Sequence, residues 1–97
     1  MDEEDVRPGT LEMVMTANGL RYALHGKPLF GGDTVALCFS GGWVVGRFEW
    51  TSDPAAPPRF HCSIELEGGG VEPFDFPLPE RALLKRASPG AILGAYR

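Results

Sequence analysis

The sequence predicts an all-β protein, folded as a small and strongly bent antiparallel barrel of five to six strands. Apolar residues alternate with polar or small ones over short stretches, the period-two pattern of strands with one buried face. Glycine and proline account for 13 and 9 of the 97 residues and separate these stretches without forming a repeat, which indicates many turns. A chain of this length forms one domain with a single core.

Net charge and composition narrow the classes of function that the chain can perform. The net charge is −4 and residues 2–5 are all acidic, whereas lysine and arginine form no cluster. This balance lacks the basic surface of proteins that bind duplex nucleic acid or anionic membranes. No apolar run approaches the length of a membrane span and the N-terminus is acidic, so we expect a cytoplasmic protein with reduced thiols.

Composition also divides the chain into three parts. Residues 1–8 are charged, with Val6 as the one apolar anchor, and we expect them to be disordered. Residues 9–88 hold the barrel, and residues 89–97 form a loose tail. Three side chains of this tail are apolar enough to dock if the domain has a groove: Ile92, Leu93 and Tyr96.

The first hairpin is predicted from residues 10–15 and 20–24, two short strands on either side of a turn. The turn contains Asn18 and Gly19, the pair that best tolerates the positive φ angles of a tight hairpin. A second turn at residues 25–28 then leads into the central part of the chain.

Residues 31–50 predict the central hairpin, around which the rest of the chain is organised. Its turn is expected at residues 40–42. Pairing Phe39 with Val44 places the apolar sets of both strands on one face, and a slip of one residue would turn them outward. Gly46, in mid-strand, should let a strongly bent strand pack closely at a corner. The residues expected to face the core are Val35, Leu37, Phe39, Val44, Phe48 and Trp50.

The next strand is predicted at residues 59–66, after a proline-rich loop. Pairing Trp50 with Phe60 gives this strand an apolar inner face and a polar outer face. The opposed outer pairs in that register are Glu49 with His61 and Arg47 with Ser63.

Two elements complete the predicted barrel. Residues 71–76 form an edge strand or a covering segment, because Pro73 cannot donate to a sheet ladder. Residues 80–87 have a helical composition, but eight residues make a marginal helix and the barrel needs a closing strand. We therefore predict a strand over residues 82–86. Five or six short strands in fewer than 90 residues indicate a barrel of SH3-like type.

One motif carries a family resemblance. A Gly-Asp-x-Val strand is followed by a turn, a tryptophan, a small residue three positions later and an apolar residue two after that, at Gly32, Asp33, Val35, Trp43, Gly46 and Phe48. This pattern resembles the second and third strands of SH3-like barrels of the Tudor and agenet kind. The whole chain is also similar to a family of small uncharacterised bacterial proteins, through residues 21–24 (RYAL), the Gly-Asp strand, residues 41–50 (GGWVVGRFEW) and the Pro-Leu-Pro run at 77–79. Neither resemblance implies an activity or a functional residue, because Tudor-type cages need several clustered aromatic residues.

An exposed apolar patch is the first candidate site. In the predicted register four residues share the outward face of the central hairpin: Trp43, Val45, Cys38 and Ala36. Such a patch on a soluble monomer marks a surface for a partner or a second copy. The alternative is that the first hairpin or the tail covers it.

A polar cluster on neighbouring strands is the second candidate site, formed by Arg47, Glu49, His61 and Glu65. A carboxylate beside a histidine could perform acid–base chemistry, yet alternating charges on a sheet face also arise from cross-strand pairing. His61 and Cys62 are adjacent and point to opposite faces of a strand, so they cannot both bind one metal ion. Cys38 and Cys62 also point to opposite faces, so we expect no disulfide between them. We likewise expect no catalytic residue, no metal site and no cofactor.

The sequence thus predicts a non-enzymatic module that binds another protein or a second copy of itself. The alternative is a barrel that binds single-stranded nucleic acid, because small barrels can present aromatic and basic side chains to single strands. The residues available for that role are Arg21, Arg47, Arg59 and Trp43. An enzyme, the third possibility, would need a pocket around Glu49, His61 or Glu65.

Overall fold

The computed structural model describes residues 6–88, and within that range it contains nine β-strands and no helix. Both predicted ends, except for residues 6–8, lie outside the described residues. The strands are β1 (Gly9–Thr10), β2 (Glu12–Thr16), β3 (Gly19–Leu24), β4 (Lys27–Pro28), β5 (Thr34–Phe39), β6 (Gly42–Glu49), β7 (Arg59–Glu65), β8 (Val71–Pro77) and β9 (Leu83–Arg86).

These strands form two antiparallel sheets. The large sheet has the order β1-β9-β5-β6-β7-β8, and the small sheet has the order β2-β3-β4. The predicted all-β, antiparallel class is confirmed, whereas the described strands form two sheets of six and three strands and not the single bent barrel of five to six strands that the sequence predicts. The predicted first strand is divided at Leu11, where the chain leaves the large sheet after β1 and enters the small sheet at β2. The two sheets therefore pack face to face, and β1 and β8 remain separate edges.

The core lies between the inner face of the large sheet and the small sheet. Phe48, Phe60 and Leu84 of the large sheet are fully buried against Leu24 and Leu29, which lie in and just beyond the small sheet. Tyr22 of the small sheet and Leu11, which lies between β1 and β2, extend this contact. The small sheet thus covers the part of the inner face near Phe48, where Tyr22 packs edge-on to the Phe48 ring.

The central hairpin is shorter in its turn than the sequence predicts. Phe39 pairs with Gly42 instead of Val44, because the turn consists of Ser40 and Gly41 alone. Their φ angles of 52° and 81° are those of a type I′ turn, whose twist matches that of the flanking strands. The register differs from the prediction by two residues, so every side chain keeps its predicted face.

The register of β7 also differs by two residues, since Phe48, not Trp50, pairs with Phe60. Trp50 lies beyond the end of β6, where its indole Nε1–H donates to the Ala56 carbonyl at 3.0 Å. The Trp50 ring also packs edge-on against Tyr22, with centroids 4.8 Å apart. Trp50 therefore anchors the proline-rich loop instead of extending the ladder.

Gly46 performs the role that the sequence predicts for it. A Cβ atom at this position would lie 2.5 Å from the His61 carbonyl oxygen and 2.7 Å from Cζ of Phe60. The Phe60 ring therefore lies directly over the backbone of β6, and only glycine permits this approach.

The last strand, β9, is a strand as predicted, and it lies between β1 and β5. Its Arg86 reaches across to the small sheet, where Nη2 donates to the carbonyls of Lys27 at 2.9 Å and Pro28 at 3.0 Å. Nη1 lies 3.8 Å from the Asp33 carboxylate. This mostly buried guanidinium joins the two sheets at the end of the core.

Candidate protein-binding site

An apolar groove lies on the inner face of the large sheet, at the end that the small sheet does not cover. Its volume is about 90 Å³, and it is lined by apolar atoms of Leu37, Phe39, Val44, Cys62, Ile64 and Phe76. We call this feature the apolar groove.

The apolar groove is lined both by buried core residues and by apolar residues exposed to solvent. Leu37 and Cys62 are buried and belong to the core, whereas Phe39 is 62% exposed and Ile64 is 42% exposed. Phe74, on the same face of β8 as its partner Cys62, is exposed as well. The prediction that Phe39 is a core residue is therefore wrong, because β5 extends past the region that the small sheet covers.

The edge strand β8 borders the groove, and its prolines limit how a partner can approach. Leu66 N–H donates to Gly70 and Leu78 N–H donates to Pro58, so the even-numbered residues bond across the β7–β8 ladder. In an antiparallel ladder the alternate, odd-numbered residues then direct their backbone groups to the free edge. Two of these residues, Pro73 and Pro77, have no N–H. This edge resists the addition of another strand, which leaves the groove face as the accessible surface.

One acidic residue shares the face of the apolar groove. Glu72 pairs with Ile64 across the ladder, so strand alternation places both side chains on the inner face. Glu72 is exposed and lies between the Ile64 and Phe74 positions at the open end of the sheet. A ligand of the groove would therefore meet apolar side chains and a carboxylate beside them.

The structure brings the four residues of the predicted outer patch together. Cys38 pairs with Trp43, and Ala36 pairs with Val45. Ala36 is only 1% exposed, Cys38 and Val45 are half-buried, and Trp43 is 39% exposed. The Lys85 ammonium group lies 4.3 Å from the centroid of the Trp43 ring. The exposed apolar area of this patch is therefore smaller than the sequence predicts, since Ala36 is buried and a cation faces the indole.

The predicted polar cluster is divided by the observed register. Arg47, not Glu49, pairs with His61, and Glu49 pairs with Arg59. Arg47 is accordingly not opposite Ser63. Glu65 pairs with Val71, four residues along β7 from His61. Glu49 is therefore a diagonal neighbour of His61 on the outer face and not its directly opposed partner.

The carboxylate beside His61 belongs to Asp75, which is not among the predicted site residues. Asp75 Oδ2 lies 3.6 Å from His61 Nδ1, and its other oxygen accepts a hydrogen bond from Arg59 Nε. That hydrogen bond is the main reason why the pKa of Asp75 lies below its ordinary value. The sequence predicts β8 as an extended segment but does not give its register on β7, and that register places Asp75 opposite His61.

The two cysteines are free thiols on opposite faces of the large sheet. Burial raises the pKa of the Cys62 thiol, which keeps it protonated and poorly nucleophilic. Within residues 6–88, no three side chains of the metal-binding types His, Cys, Asp and Glu lie close enough to hold an ion.

A larger cavity of about 250 Å³ lies beside the proline-rich loop. Tyr22 and Glu80 are its titratable groups. Its remaining lining is Leu11, Pro57, Pro58, Leu78 and Pro79. This cavity contains no arrangement of acid, base and nucleophile.

Comparison with known proteins adds no further constraint, since no family model, curated protein or solved structure matches the chain. In the described part of the chain, no helix has the length and apolar character needed to cross a membrane. The geometry of the groove and of the outer face is therefore the basis for a functional conclusion.

Proposed function

We propose that this protein is a non-enzymatic module that binds other proteins, with the apolar groove as its binding surface. The observation that carries the proposal is the open end of the core, where Phe39 and Ile64 are exposed beside the buried Leu37. Covering such side chains stabilises a complex by about 25 cal/mol for each Å² of apolar surface removed from water. Contiguous exposed apolar surface of this kind is typical of interaction sites.

The partner is another protein or a second copy of this chain. Pro73 and Pro77 favour docking on the groove face over strand addition at the β8 edge. A reducing cytoplasm is the proposed compartment, because Cys38 and Cys62 are both free.

Self-association is the first test of this function. Light scattering over a concentration series should show an average mass that rises for the wild type and stays monomeric for Phe39→Thr. Phe30→Thr is the matched control, since Phe30 is also exposed, at 53%, but lies outside the groove. A wild type that stays monomeric would exclude a second copy as the partner, and a pull-down in which wild type and Phe39→Thr retain the same proteins would then overturn the groove as the binding surface. Equal association of Phe39→Thr and wild type would show that the groove is not the surface.

Acrylamide quenching of tryptophan fluorescence distinguishes the groove from the outer patch. Trp50 is half-buried against Tyr22, whereas Trp43 is exposed on the outer face. Association through the groove should leave the quenching of Trp43 unchanged. Protection of Trp43 on association would transfer the binding surface to Trp43, Val45 and Cys38.

Binding of single-stranded nucleic acid is the second candidate function. The observation that favours it is the outer face, where Lys85 lies over Trp43 and Arg47 follows on the same face of β6. Glu49 and Asp75 on that face oppose it. A labelled oligonucleotide should bind with strong salt dependence, and Trp43→Ala should weaken binding, if this candidate is correct.

A further inference from the structure

We propose that the occupant of the apolar groove is this chain's own segment at residues 89–97, which competes there with a partner protein. The inference rests on the proposed function in one respect, namely that the groove is a binding surface. It adds the identity of the ligand and a form of regulation, because a partner must displace a segment that is already tethered.

The chemistry of the segment matches the groove. Residues 89–97 read Pro-Gly-Ala-Ile-Leu-Gly-Ala-Tyr-Arg, with Ile92, Leu93 and Tyr96 as large apolar side chains and no acidic residue. The groove offers apolar contacts from Phe39, Val44 and Ile64. Glu72, an acidic residue on the same face of the sheet, complements Arg97.

The length of the segment is sufficient to reach the groove. The described chain leaves β9 beside the start of β5, where the Ala87 N–H donates to the Thr34 carbonyl at 3.1 Å. The distance along β5 from Thr34 to Phe39 is five residues, or about 17 Å at the rise of a strand. Nine residues span up to about 30 Å when extended.

The covalent tether makes even a weak contact effective. A short linker gives its attached ligand an effective concentration in the millimolar range. The segment would therefore occupy the groove at an affinity too low to detect between separate molecules at micromolar concentration. Any partner would bind with an apparent affinity reduced by the fraction of molecules in which the groove is occupied.

The chain contains two isoleucines, which makes the test direct. Ile64 lines the groove and Ile92 lies in the segment, so a sample labelled at isoleucine δ1 methyl groups gives one signal from each side of the contact. In the full chain, at a dilution where light scattering reports a monomer, we expect a nuclear Overhauser effect between the Ile64 methyl group and the ring of Tyr96, the most distal apolar residue of the segment. A chain that ends at Ser88 should show a shifted Ile64 signal. A synthetic peptide of residues 88–97 should restore the original signal in a saturable way.

Two full-length variants keep the test independent of the truncation. Leu93→Ser should shift Ile64 as the truncation does, whereas Ala95→Ser, a polar change of a small residue in the same segment, should not. An Ile64 signal that is insensitive to truncation and peptide would overturn the inference. If the Ile64 signal nevertheless shifts with protein concentration, the groove binds a second copy of the chain. The proposed function then stands without the inference about residues 89–97. If, instead, Phe39→Thr associates as strongly as a self-associating wild type, the proposed function fails as well.

Discussion

At the scale of single residues, Gly46 has the least room for a side chain among the described glycines. The His61 carbonyl and the Phe60 ring occupy the space where a side chain would begin. Neither neighbour can move freely, because the carbonyl belongs to the β7 backbone and the ring is completely buried. β6 and β7 can therefore pack this closely only because residue 46 has no Cβ atom.

Gly46→Ala should lower the free energy of unfolding by about 1–3 kcal/mol, the usual cost of overpacking a core. Chemical denaturation monitored by fluorescence measures this change. Gly42→Ala in the same strand is the control, since its nearest neighbour would be the Phe39 carbonyl at an ordinary 3.8 Å. Equal midpoints for the two variants would show that the Phe60 ring does not lie against β6 as described.

Asp75 should give stability a dependence on acidic pH. Its folded pKa is lowered, chiefly by the hydrogen bond from Arg59, so the carboxylate contributes stability above its unfolded pKa near 3.8. That contribution is lost as the pH falls through the folded pKa. Urea denaturation from pH 6 downward should therefore show wild type and Asp75→Asn converging at acidic pH. Glu65→Gln, an exposed neighbour on β7, should run parallel to the wild type, and a parallel Asp75→Asn curve would contradict the prediction.

At the scale of elements, one arginine links the two sheets, and two prolines protect one edge of the large sheet. Arg86 on β9 joins the large sheet to the backbone carbonyls of β4. At the opposite edge, Pro73 and Pro77 remove the donors that a further strand would need. Arg86 thus links the large sheet to the small sheet near its β1 edge, and the two prolines oppose strand addition at its β8 edge.

Arg86→Met should lower the free energy of unfolding by about 1–3 kcal/mol, because it leaves the carbonyls of Lys27 and Pro28 without their donor. Amide hydrogen exchange should rise first in β4, which pairs with β3 through only two residue pairs. Arg81→Met, at an exposed arginine outside the strands, serves as the control. Unchanged exchange in β4 would mean that the guanidinium does not hold the small sheet.

Pro73→Val should convert β8 into an edge that can pair with another chain. The substitution restores an N–H on the free edge and adds a residue with high strand propensity. Light scattering should show larger assemblies than the wild type forms, and these should persist in the Phe39→Thr background. Pro79→Val lies beyond the strand and should have no such effect. Masses identical to wild type would show that proline is not what protects this edge.

At the scale of the whole molecule, the unequal size of the two sheets creates the candidate site. The small sheet has three strands and covers one end of a six-stranded sheet. The uncovered end keeps the same apolar alternation, so its side chains form the groove around Phe39. A binding surface therefore arises from the core itself, without a separate motif.

The sequence by itself determined the strand class, the hairpins and the face that each side chain occupies. Alternation along β5, β6 and β7 depends only on the geometry of an extended chain, so it survived the two-residue error in register. Pro73 likewise identified an edge strand from the loss of one donor. The predicted strand over residues 82–86 is present as β9.

Only the tertiary structure decided the register, the open end of the core and the site. A turn of two residues and one of four are both compatible with the same alternation, and the twist of the strands favours the shorter. Phe39 has the pattern of a core residue, yet its burial depends on whether a strand distant in sequence lies over it. Alternation is a local property that specifies the face of a strand, whereas coverage depends on long-range packing between the two sheets.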